Sequence, residues 1–242
     1  MKIDYEESAR LIEKKSVKIT TYLNIISGTL LLLMLITMMI WCFYHEAKVV
    51  SGESMQPTIN ATYSEYENKF DIVIINKTHK ISRQDIAIID FSEYNKDELI
   101  IKRVIATAGD TIKIVWNSEK QKSEVYLKKK GEENLVLLDE PYTQSIRRLD
   151  GNTCAKTFGI GSSTGQYNSY QWDGYTLNDD GSITILDGYF FALGDNRELS
   201  LDSSEVGPFR LSYVCGVVDT LEKDGSVMNK LLRSIFNFGL SK

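Results

Sequence analysis

Leu99-Ile100-Ile101-Lys102-Arg103-Val104-Ile105 is an apolar, β-branched run interrupted by two adjacent cations. Length and composition predict a strand. With a two-residue period, Ile100, Lys102 and Val104 share one face, and Ile101, Arg103 and Ile105 share the other. Similar runs surround it. Asp71-Ile72-Val73-Ile74-Ile75 and Asp85-Ile86-Ala87-Ile88-Ile89 precede it, and Thr111-Ile112-Lys113-Ile114-Val115 follows. Tyr189-Phe190-Phe191-Ala192-Leu193 and Val214-Cys215-Gly216-Val217-Val218 extend the pattern toward the C-terminus. Short strands separated by polar breaks predict a mainly β unit.

Between about 116 and 186 the composition shifts. Val125-Tyr126-Leu127 and Leu135-Val136-Leu137-Leu138 flank a charged stretch with Gly131, which reads as a hairpin. Gly151 to Gly181, rich in Gly, Ser, Thr, Asn and Tyr, reads as an insertion with weak strands and long loops. Gly159-Ile160-Gly161 lacks the third glycine and the following helix of a dinucleotide loop. Near the end, Met228, Leu231, Leu232, Ile235 and Phe236 recur at helical spacing with Lys230 and Arg233 among them. A packing helix is the favoured reading, and a helix lying on a membrane surface is the alternative.

Upstream, no formal charge occurs from Ile19 to Tyr44. A helix spanning roughly 30 Å of hydrocarbon needs about 20 apolar residues, so a transmembrane anchor is expected here. Tyr22, Trp41 and Tyr44 suit the two interfaces. Lys14, Lys15 and Lys18 precede the run, and Glu46 and Lys48 follow it. The positive-inside rule then puts the N-terminus in the cytoplasm and the β unit outside. The run is longer than a signal-peptide core and no small-x-small site follows it.

Composition excludes several functions. The net charge of −5 disfavours a general nucleic-acid binder. Only His45 and His79 are present, and neither has a partner at metal-ligand spacing, so a zinc site is not expected. A Ser-His-Asp triad would have to use His79, because His45 adjoins the anchor. The cysteines are Cys42, Cys154 and Cys215. Spacing leaves open both a Cys154–Cys215 bond and two buried thiols.

Three segments carry candidate chemistry. In Ser51-Gly52-Glu53-Ser54-Met55-Gln56-Pro57-Thr58, a serine sits on a turn whose backbone N–H groups could hold a developing oxyanion. Lys102 is either an edge-strand lysine snorkelling to water or an amine desolvated by its apolar neighbours. In the second case its pKa falls and it can accept a hydroxyl proton. The third segment, Gly194-Asp195-Asn196-Arg197-Glu198-Leu199-Ser200-Leu201-Asp202-Ser203-Ser204, reads alone as a loop tied down by Asx turns.

Together the three segments resemble the boxes of bacterial type I signal peptidases, also called leader peptidases. These boxes are Ser-Met-x-Pro-Thr, Lys-Arg-Val with Gly-Asp five residues on, and Gly-Asp-Asn-Arg followed by Ser and Asp-Ser. The resemblance covers about 50 to 218, and the single anchor is similar to the Gram-positive form. It implies a membrane-bound serine endopeptidase that removes signal peptides after small residues of the Ala-x-Ala type. No cofactor or metal is implied, and the residues match as follows. Ser54 falls on the nucleophile, Lys102 on the general base, and Ser200 on the serine orienting the amine. The Ser54 N–H, helped by Gly52 and Glu53, falls on the oxyanion hole. Arg103 and Asp202 match a stiffening charged pair, with Asp195, Asn196 and Arg197 in support. Val50, Met55, Ile59 and Ile101 match the lining of pockets for small side chains. Ser204 stands where many members have arginine, and Ala106-Thr107-Ala108 where Gly-Leu-Pro is common.

The implied organisation is a cytoplasmic segment at 1–18, an anchor at 19–45, and a catalytic β core at 46–115 and 187–222. A cap subdomain is inserted at 116–186, and 223–242 forms a C-terminal helix or tail. Partners would be signal-peptide-bearing precursors, the plasma-membrane bilayer and a nearby translocon, with no nucleic acid. Two other readings remain. One is a self-cleaving repressor with a Ser/Lys dyad, which the anchor and the lack of a DNA-binding segment disfavour. The other is an inactive or specialised assembly factor, such as one for pili, a class that usually loses the dyad present here.

Overall fold

A computed structural model describes residues 5–67, 69–92, 98–143 and 173–236. The chain divides into two compact units, Met1–His45 and Glu46–Lys242. The first is the helix α1 (Tyr5–Tyr44). Its stretch Glu13–Tyr44 is long and apolar enough to cross a membrane, and the only such helix among the described residues. It begins earlier than the uncharged run, because Glu13, Lys14, Lys15 and Lys18 are compatible with helix and extend it by further turns.

The second unit is β-rich, as its β-branched runs predict. In chain order the strands are β1 (His45–Val49), β2 (Ile72–Asn76), β3 (Ile86–Asp90), β4 (Leu99–Thr107), β5 (Thr111–Asn117), β6 (Lys122–Lys128) and β7 (Val136–Leu137). They continue with β8 (Tyr175–Leu177), β9 (Ile183–Ile185), β10 (Tyr189–Leu193), the short helix α2 (Ser203–Val206), β11 (Phe209–Arg210) and β12 (Val214–Glu222). A helix α3 (Val227–Phe236) follows. One sheet of seven strands runs β1-β2-β12-β3-β4-β10-β11, and another of five runs β7-β6-β5-β9-β8. The change of sheet comes at the Gly109-Asp110 turn, so β5 belongs wholly to the second sheet and the boundary expected near 116 falls inside a strand. The expected hairpin is present, with Tyr126 opposite Leu137 and Gly131 at φ 87°. Gly159-Ile160-Gly161, Cys154 and most of the Gly/Ser/Thr-rich insertion lie outside the described residues.

Strand β4 carries the alternation expected of it. Ile100 and Val104 pack with Ala87, Ile89, Phe190 and Phe209 on one side of the sheet. Ile105 joins Ile112, Val125, Ile183 and Phe191 in a core that binds the two sheets together. Fully burying an aliphatic side chain contributes about 1.5–3 kcal/mol, so this interior holds β4 firmly in register. Lys102 is therefore carried on rigid backbone.

Candidate active site

The chain leaves β1 and enters a turn at 51–59. Gly52 has φ 85°, a left-handed conformation in which a side chain would be strained. The turn is clamped from beneath. Buried Asn60 donates from Nδ2 to the carbonyls of Val50 at 2.7 Å and Gly52 at 3.0 Å. Its backbone N–H donates to Asp71 Oδ2 at 2.7 Å, and its Oδ1 accepts from the Asp71 N–H at 2.7 Å. Sequence reasoning missed this Asn60–Asp71 clamp, because neither residue's local context marks it. The Ser54 N–H donates to no acceptor among the described residues.

Lys102 approaches this turn from β4 with only 3% of its surface exposed. Its Nζ lies 3.0 Å from Ser54 Oγ and donates to the Ile101 carbonyl at 2.9 Å. Burial pushes its pKa down to about 8, against the opposing pull of the Asp202 and Glu98 carboxylates. A large share of the amine is therefore neutral near pH 8, with its lone pair within reach of a serine hydroxyl. The snorkelling alternative fails because the strand is central in its sheet and the lysine is covered.

The loop after β10 braces both partners. Asn196 donates from its backbone to the Ser54 carbonyl at 3.0 Å and from Nδ2 to the Glu53 carbonyl at 3.2 Å. A Cβ on Gly194 would fall 2.5 Å from the Ser54 carbonyl oxygen and 2.2 Å from Ser200 Oγ, so only glycine fits. Asp195, fully buried, accepts from Arg103 Nε at 2.8 Å and Nη2 at 2.6 Å, and from Thr58 Oγ1 at 2.5 Å. Arg197 donates to the Gly194 carbonyl at 3.0 Å and forms an ion pair with Glu140. The Arg103 guanidinium stacks 4.0 Å from the centroid of the Tyr142 ring. Sequence reasoning did not single out Glu140 or Tyr142, since each acts on a residue far from it in the chain.

Three expected roles are corrected by the geometry. Arg103 pairs with Asp195 and not with Asp202, because Leu193 is its partner in the β4–β10 ladder and Asp195, two residues on, emerges on the same side. Asp202 instead caps α2. Its Oδ1 accepts from the Ser204 N–H and hydroxyl at 3.0 and 2.7 Å, and its Oδ2 from the Gly194 N–H at 2.9 Å. Ser204 thus supplies donors at a position where arginine is common in the resembling family. Ser200 Oγ makes no hydrogen bond to the amine. It is buried against Gly194 and has no partner among the described residues.

A cleft of about 360 Å³ opens beside Ser54 and Lys102. Val50, Ile88, Ile100, Ile101, Leu199 and Leu201 supply its apolar wall. Val50 and Ile101 were expected there. Met55 and Ile59 were expected too, but they are 1% and 0% exposed and belong to the core beneath the turn with Val73 and Ile75. No group of three His, Cys, Asp or Glu among the described residues is placed to hold a metal ion.

Comparison with known proteins follows the same direction. The sequence profile described as "Signal peptidase, peptidase S26" matches residues 22–221. Signal peptidase I of Streptococcus pneumoniae serotype 4 is 27% identical over 200 residues, covering 78% of this chain and 87% of its own length. Signal peptidase I of Bacillus caldolyticus is 30% identical over 180 residues, covering 71% and 75%. A crystal structure of a signal peptidase I from Enterococcus faecalis V583 is 25% identical, with a TM-score of 0.34, covering 58% of this chain and 97% of that one.

Proposed function

The chain belongs to the signal peptidase family, peptidase S26, whose members are serine endopeptidases that remove signal peptides from precursor proteins, and on that premise we propose that Ser54 is its nucleophile and Lys102 the base that activates it. The observation that carries this reading is the 3.0 Å approach of a buried amine, its pKa near 8, to the Ser54 hydroxyl at the edge of the cleft. The neutral Lys102 amine takes the Ser54 proton as Oγ bonds to the scissile carbonyl carbon. The Ser54 N–H, lacking another acceptor, donates to the oxyanion, with Gly52 and Glu53 shaping the turn. The ammonium then protonates the leaving nitrogen, and an acyl-enzyme ester remains. Water attacks the ester, passes a proton to the same amine, and the serine recovers it.

The aliphatic cleft suits small apolar side chains, which supports cleavage of the Ala-x-Ala type. Under this reading the first sheet is the catalytic core and the second a cap. Helix α1 anchors the chain in the plasma membrane, its N-terminus cytoplasmic and its β unit outside, where precursors leave a translocon. Incubating the full chain with a tagged precursor and sequencing the new N-terminus by mass spectrometry tests the assignment. Ser54→Ala and Lys102→Met should each lower cleavage by about 10³-fold or more while circular dichroism stays unchanged. Near-normal turnover in either variant refutes the dyad.

A further inference from the structure

Helix α3 is docked with its polarity reversed. Its Asn229 and Arg233 side chains face the β unit. Asn229 is 0% exposed and donates from Nδ2 to the carbonyls of Glu222 at 3.0 Å and Phe70 at 3.3 Å. Arg233 donates to the Phe70 carbonyl at 3.0 Å, pairs with Asp224 at 2.7 Å, and stacks 3.7 Å from the Phe70 ring centroid. Three apolar side chains point away, leaving Val227 84%, Met228 45% and Leu231 48% exposed. At 3.6 residues per turn these three fall within an arc of roughly 100°. A helix that packs on its own domain turns this stripe inward; here the stripe is presented outward.

The charge around the stripe is positive. Lys223 and Lys230 are exposed and form no ion pair among the described residues. The neighbouring carboxylates are engaged, Asp224 with Arg233 and Glu222 with the Ser226 hydroxyl at 3.1 Å. This basic spot lies on a chain whose net charge is −5.

We propose that α3 is an interfacial helix, with Val227, Met228 and Leu231 seated at the headgroup–acyl boundary of an anionic bilayer and Lys223 and Lys230 on its phosphates. Three arguments favour lipid over a protein partner. The cations match anionic headgroups. The stripe of three side chains falls far short of the roughly 800 Å² per partner that a stable protein interface buries. The chain also passes from α1 at Tyr44 straight into β1 at His45, which holds the β unit at high local concentration beside any membrane that α1 enters.

The test uses the full chain in vesicles of phosphatidylcholine with and without phosphatidylglycerol. Cys42, Cys154 and Cys215 are replaced by serine. A fluorophore is placed at Leu231→Cys or, as a control, at Tyr66→Cys, where the native tyrosine is fully exposed. Doxyl-lipid quenching should be about threefold stronger at 231 than at 66 in anionic vesicles, and should weaken without anionic lipid. Equal quenching at the two positions overturns the proposal, as does disulfide linkage between unlabelled copies of the Leu231→Cys variant, which would make the occupant a second chain. A second measurement leaves the cysteines intact. Val227→Glu with Leu231→Glu should lower cleavage of a vesicle-embedded precursor by about tenfold and leave cleavage of a short soluble peptide unchanged. Equal loss on both substrates counts against it. Quenching needs no catalysis, so this inference and the dyad can fail separately.

Discussion

Lys102 keeps 3% of its surface, and that burial has opposite effects on chemistry and stability. On the proposed mechanism only the neutral amine acts, so precursor cleavage should rise with pH through about 8 and level off above it, read from kcat/KM against pH. Glu98→Gln removes a charge that holds this pKa up, and should move the rising limb to lower pH. For stability, the folded pKa lies below the unfolded value, so between about 8 and 10.5 the unfolded chain holds the extra proton. Stability therefore rises with pH across that window, and below it the buried charge opposes folding by roughly 3 kcal/mol. Lys102→Met should consequently melt higher than the parent at pH 7 and lose that slope, a gain unusual for a substitution expected to abolish activity. Urea titrations at pH 7 and 10 would measure it. The alternation of β4 did not by itself make the burial of Lys102 legible, since the same pattern fits an edge-strand lysine reaching water. Its partner was legible only through the resemblance of three separated segments, since no local pattern joins residue 54 to residue 102.

The loop that follows β10 holds the site together, and its contacts set what substitutions do. Asp195→Asn would leave Arg103 largely buried without its carboxylate, and the loss should be about 3–5 kcal/mol in a thermal or urea melt. Gly194→Ala should be folded but slow, because its methyl group must displace the Ser54 carbonyl or Ser200. A kcat reduced more than tenfold with KM little changed is the expected signature. Strands with dense β-branched runs were readable, as was their mainly β outcome. Strands β8, β9 and β11 were not, being two or three residues long and held by register with their neighbours. The Arg197–Glu140 and Arg103–Asp195 pairs were hidden for a related reason, since each joins side chains far apart in the chain. Met55 and Ile59 misled because an apolar side chain beside a nucleophile can serve the cleft or the core, and composition does not distinguish the two.

At the scale of the molecule, the two sheets are joined by an apolar core and by one carboxylate. Asp110 is fully buried and accepts from Arg83 at two atoms, both 2.6 Å, from the Thr107 N–H at 2.8 Å and from the Lys130 N–H at 2.9 Å. Burial alone would raise its pKa. The Arg83 guanidinium and the two N–H groups more than offset this and hold the carboxyl below its ordinary range. The stability it contributes is present above the unfolded carboxylate pKa and is lost as pH falls through the folded one. Arg83→Ala raises that folded value, so acid unfolding followed by tryptophan fluorescence should begin at a higher pH than in the parent. The bracing of Ser54 by Asn196 has a further consequence for synthesis. A chain growing on the ribosome completes its serine and its lysine early, yet the peptide group that holds the serine in position is added some 140 residues after the serine. On the proposed mechanism an unfinished copy thus carries both groups without the frame that aligns them, and cleavage must wait until the loop after β10 has been translated.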